Sequence, residues 1–124
     1  MSWIQRDLIK ESLAELADAP YQERLWLGEV GQTIGSLDEA MCQLFDDSGL
    51  GAALDAGTAD SPVFDEAIDS ELRQLDHLLR KLAQGHRPSS ELMADERMQT
   101  ARGLASSALF RLVRLEARES RGSG

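Results

Sequence analysis

Two histidines, one cysteine and a surplus of carboxylates are the side chains of this 124-residue chain with which chemistry would have to be done. His77 has Arg73 and Lys81 one helical turn away on either side and Arg80 three residues on. That setting repels a metal ion and offers no carboxylate to orient the imidazole, so His77 reads as a solvated member of a basic stripe. His86, in the string GHRP, is placed to meet the last carbonyls of the helix before it. Cys42 has no Lys or His nearby in sequence to lower its pKa and reads as a buried, inert thiol. A single cysteine excludes an internal disulfide and a multi-cysteine zinc site, and fits a reducing compartment.

The carboxylates fail the metal templates that can be tried on them. A di-iron bundle needs a glutamate three residues before a histidine on an inward face, and neither histidine has one. Read as a calcium loop, DAGTADSPVFDE has Gly57 where a second acidic ligand belongs and Asp60 where the turn glycine belongs. No metal and no cofactor are expected. Gly28, Gly31 and Gly35 do not have the spacing of a dinucleotide fingerprint, and no serine elbow or phosphate loop occurs. The expectation is a noncatalytic protein.

Two readings of the acids remain, as solvated helix faces or as a binding patch. In the second, Asp46, Asp47, Asp60, Asp65, Glu66 and Asp69 steer a basic protein partner, because complementary charge speeds encounter. The net charge of −9 is also polarised, with −13 over residues 1–96 and +4 over residues 97–124. Arg111, Arg114, Arg118 and Arg121 fall close to one side of the last helix. They could meet nucleic acid or neutralise a neighbouring helix, but the overall acidity repels phosphate and the row is read as lacking interleaved aromatics. Nucleic acid is the disfavoured partner.

The elements that must position these groups are helices. Ala, Leu, Glu, Arg and Gln abound while β-branched residues are scarce. Ser2 with Gln5 has the form of a capping box, and Ile4, Leu8, Leu13 and Leu16 predict a helix over residues 3–18, ended by Pro20. Ser36 with Glu39 starts a second, with Leu37, Ala40, Met41, Leu44 and Phe45 on one face and Gly49 as a left-handed cap. A short turn through Ala52–Leu54 follows. Ser61 and Pro62 are the expected start of a long helix with Phe64, Ile68, Leu72, Leu75, Leu79 and Leu82 inward, ending at Gly85. From Ser90 or Asp95 to Arg118, a final helix places Ala94, Met98, Ala101, Ala105, Ala108, Leu112 and Leu115 on its inner face.

The fold expected is all-α, a bundle of four to five helices built around an antiparallel hairpin of the two long C-terminal helices. One domain is expected over residues 1–119, with a frayed tail over 120–124. The segment YQERLWLGEVGQTIG, residues 21–35, fits neither periodicity and reads as a short helix and loop. There Tyr21 and Trp26 either lid the bundle or anchor a partner. The N-terminal string is charged throughout and no run has the length of a membrane span, so the protein is read as cytoplasmic with no membrane partner. The functional expectation is a protein-binding module, for example a small bacterial inhibitor or immunity-type protein masking a basic partner. The alternatives are a structural or regulatory homodimer and a carboxylate-based ligand-binding bundle.

Overall fold

Ile68, Leu72, Leu75, Leu79 and Leu82 repeat at helical spacing, and in the computed structural model of the chain each is fully buried. The structure describes residues 4–26, 37–57, 62–84 and 89–122. The described residues form seven α-helices and a π-helical stretch, with no strand among them. They are α1 (Arg6–Ala17), α2 (Ala19–Trp26), α3 (Leu37–Met41), α4 (Leu50–Ala56), α5 (Glu66–Ala83), α6 (Ser89–Ala94) and α7 (Glu96–Gly122), with the π segment (Cys42–Asp47) continuing α3. The all-α expectation is met.

Helix α7 is the common wall. It packs on both α1 and α5, and its inner residues Met98, Ala101, Ala105, Ala108 and Leu112 are fully buried. Three alanines let the neighbouring helices approach closely while their leucines fill the space. Fully burying a leucine or isoleucine is worth about 1.5–3 kcal/mol, so these stripes dominate the core. On α1 the fully buried apolar residues are Ile9, Leu13 and Leu16. Leu8, expected inside, is only half-buried. The α3–π–α4 segment adds Leu37, Ala40, Leu44, Phe45, Leu50 and Leu54 to the same core.

The helix ends depart from expectation in instructive ways. Helix α5 begins at Glu66, not at Pro62, because Asp65 accepts the N–H of Ile68 at 2.7 Å and so caps the helix. The chain before it is held by Asp69, whose two carboxylate oxygens accept the N–H groups of Val63 (2.7 Å) and Phe64 (3.0 Å). Ser61, the expected cap, lies outside the described residues, as do Ser2 and Ser36. Gln5 precedes α1 without a side-chain cap of that helix; it reaches instead to the turn after the π segment, donating from its backbone to the Ser48 carbonyl at 2.9 Å. Both proposed starts of the last helix occur, as α6 and α7 separated at Asp95, which caps α7 by accepting the N–H of Arg97 at 2.9 Å. Helix α7 continues through Gly122, past the expected end at Arg118. Gly49 has φ 81°, the left-handed conformation its position implied.

Candidate functional site

Of the residues singled out for an acidic and aromatic surface, Asp65, Glu66 and Asp69 cluster at the start of α5, where Glu66 and Asp69 line one hollow, while Tyr21 lines another. Asp69 is 1% exposed and both its carboxylate oxygens accept backbone N–H groups, so it holds a loop. Asp65 is a helix cap. Glu66 is exposed and, with Asp69, Leu54, Asp55, Arg73 and Gln74, lines a hollow of about 670 Å³. Asp46 and Asp47 are exposed at the end of the π segment. Asp60 and the side chain of Trp26 lie outside the described residues. Cys42, expected inside, is exposed, since the inward positions of its segment are taken by Ala40, Leu44 and Phe45. His77 is exposed as its basic neighbours implied, and His86 falls outside the described residues.

Tyr21 is half-buried and has acidic company. With Glu11, Ala14, Glu15, Asp18 and Gln43 it lines a hollow of about 370 Å³ between α1 and α2. Three of these acids lie along one face of α1 and its end, and the Asp18 carboxylate accepts the N–H of Tyr21 at 3.1 Å. Nearby, the fully buried Gln22 donates to the carbonyls of Glu15 (3.0 Å) and Leu16 (2.9 Å) and accepts from Arg102 (3.0 Å). Gln22 thus closes the last turn of α1 and ties it to α7.

The opposite end of the α1–α7 contact is ionic. Arg6 pairs with Glu119 at 2.8 Å and lies 5.4 Å from the Phe64 ring, while Lys10 pairs with Glu116 at 2.9 Å. The hydrogen bond to Glu119 raises the Arg6 pKa, with burial opposing. Lys10 is raised likewise by its hydrogen bond to Glu116, again against burial.

The outer face of α7 is different in kind. Phe110 is 62% exposed and Val113 is 50% exposed, the only large hydrophobic side chains so exposed among the described residues. They sit in a second stripe, Gln99, Gly103, Ser106, Phe110, Val113 and Ala117, that steps by four and three and is exposed throughout. No charge interrupts it, although charged residues crowd the rest of the helix. A Cβ at Gly103 would meet nothing within 4 Å. Along one flank run Arg111, Arg114 and Arg118, which with Asp65, Ser107 and Phe110 line a hollow of about 390 Å³. Arg111 lies 3.0 Å from the Glu71 carboxylate as an ion pair without hydrogen-bond alignment, and Arg114 stacks 5.6 Å from the Phe110 ring. The arginine row therefore has an aromatic partner, which the sequence reading denied it. The overlooked signal was Phe110 itself, placed next to Arg111 and one turn before Arg114.

Among the described residues, no group of three or more His, Cys, Asp or Glu is arranged to hold a metal ion, and no helix is long and apolar enough to cross a membrane. No protein-family model, curated protein or solved structure matches the chain.

Proposed function

We propose that this is a noncatalytic docking module that binds another protein through the outer face of α7. The observation that carries this reading is the exposed, charge-free stripe with Phe110 and Val113 at its centre. A second four-and-three repeat on the solvent side of a helix is the pattern that packs another helix. Aromatic residues and arginine are also the types that concentrate interface energy. The stripe from Gln99 to Ala117 extends about 27 Å at the α-helical rise, enough for several turns of a partner. Masking of a partner by a small inhibitor, the role expected from size and acidity, is one form such docking takes.

The reading includes an antiparallel pairing of α5 with α7, which would hold the docking face rigid. It is supported by the Glu71–Arg111 ion pair and by Asp65 bordering the hollow of Arg114 and Arg118, at the start of α5 and the second half of α7. The test is a photo-crosslinking amino acid placed at Phe110, with His77 as an exposed control, in the native host. Crosslinked protein from position 110 and none from position 77 is the expected outcome. Equal labelling from both positions, or none from 110, would remove the reading.

A second reading keeps the basic partner that the sequence suggested. The hollow of Glu11, Glu15, Asp18 and Tyr21 suits a lysine or arginine side chain of another protein. Glu11→Lys with Glu15→Lys should then slow association with that partner, whereas an unchanged association rate would discard it.

A further inference from the structure

We infer that the partner of α7 is an acidic amphipathic helix of another protein, not a basic one and not a second copy of this chain. This rests on the reading of α7 as a docking face and adds the chemistry of its occupant.

Charge complementarity along the two flanks of the stripe decides the matter. On one flank stand Arg111, Arg114 and Arg118. Arg111 is already balanced by Glu71, and the Asp65 carboxylate beside the same hollow is committed to capping α5. Arg114 and Arg118 remain as the cations that an incoming helix would meet, both exposed. The other flank carries Arg102, Leu109 and Glu116, and it is committed too: Arg102 to Gln22, Glu116 to Lys10.

Self-pairing is poorly served by this layout. A two-fold axis that made two copies of α7 antiparallel would set the arginine flank of one against the arginine flank of the other, since each flank faces itself in that symmetry. A parallel pair would set it against the opposite flank, whose one carboxylate already serves Lys10. Glu96, the carboxylate on the arginine flank, lies about five turns before Arg114, so a pair centred on the Phe110 anchor leaves Arg114 and Arg118 without a carboxylate, and like charges at such positions oppose pairing. A basic helix meets the same repulsion. An acidic helix with a narrow apolar ridge satisfies both features: the ridge lies along Gly103, Ser106, Phe110, Val113 and Ala117, and its carboxylates reach the two guanidiniums. Gly103 and Ser106 leave room for close approach at one end, and Phe110 is the anchor at the other.

The experiment uses the full chain and two synthetic helical peptides of about three heptads, with an identical Ala/Leu ridge and either Glu or Lys at the flanking positions. Binding is titrated calorimetrically, and self-association of the chain alone is followed by sedimentation equilibrium. The Glu peptide should bind, and its affinity should fall at least about tenfold, equivalent to 1.4 kcal/mol, on Arg114→Glu with Arg118→Glu and on Phe110→Ser. The Lys peptide should bind only the charge-reversed variant. Unchanged melting temperatures of these surface variants would show that the fold is intact. Absence of Glu-peptide binding, equal binding of both peptides, or binding untouched by charge reversal would overturn the proposal. A dimer lost on Phe110→Ser would also overturn it, assigning the stripe to a second copy while leaving α7 as a docking face.

Discussion

Asp69 shows how much one buried carboxylate can hold. It is 1% exposed and accepts two backbone N–H groups at 2.7 and 3.0 Å. Asp69→Ala would strand both donors, and hydrogen bonds to a charged group contribute about 1.5–3 kcal/mol each. The expected loss is about 3 kcal/mol in urea unfolding, with Asp69→Asn losing less because its amide keeps one acceptor oxygen. Ser12 points the other way. Its hydroxyl is buried with no hydrogen-bond partner among the described residues, so Ser12→Ala should be neutral or stabilising by up to about 1 kcal/mol in the same assay. Lys10 gives a pH dependence. Its folded pKa is raised by the hydrogen bond to Glu116, so the pair's contribution is complete below lysine's ordinary value of about 10.4 and is lost as pH rises through the raised one. Urea unfolding between neutral and strongly alkaline pH should show a loss, under about 1 kcal/mol for a partly exposed pair, that Lys10→Met lacks.

At the scale of elements, the long stripes were legible because burial imposes a period that the sequence must obey. Ile68 to Leu82 on α5 and Met98 to Leu112 on α7 lie inside as their spacing implies. The ends were less legible, because several short polar residues competed to cap the same turn. Ser61 and Pro62 have the form of a helix start, yet Asp65 and Asp69 divide the local N–H groups and delay α5 to Glu66. The outer stripe of α7 is faint in the sequence because it repeats at the same spacing as the alanine face and carries only two large apolar residues, Phe110 and Val113. Two glycines test this level. Gly49→Ala places a Cβ at φ 81° and should cost about 1 kcal/mol or more. Gly103→Ala fills open space in a helix interior and should stabilise by about 1 kcal/mol. Thermal denaturation followed by circular dichroism distinguishes the two.

For the molecule as a whole, the polarised charge map and the exposed apolar surface do not coincide. Net charge reports long-range steering and solubility, whereas the exposed apolar residues lie in the basic half, on a helix that also forms the main wall of the core. Shortening the chain after Leu109 would remove the buried Leu112 together with the Arg6 and Lys10 partners. Loss of a cooperative unfolding transition is the expected outcome, measured by urea titration. The pairing of α1 with α7 has a further consequence, for the order of events during synthesis. Arg6 meets Glu119 across 113 positions and Gln22 meets Arg102 across 80. A ribosome therefore delivers α1 long before its principal neighbour exists, and nearly the whole of this helical stretch must emerge before the first helix can be enclosed. Until then Ile9, Leu13 and Leu16 are open to chaperones, and closure should be slower than in bundles whose adjacent helices pair in turn.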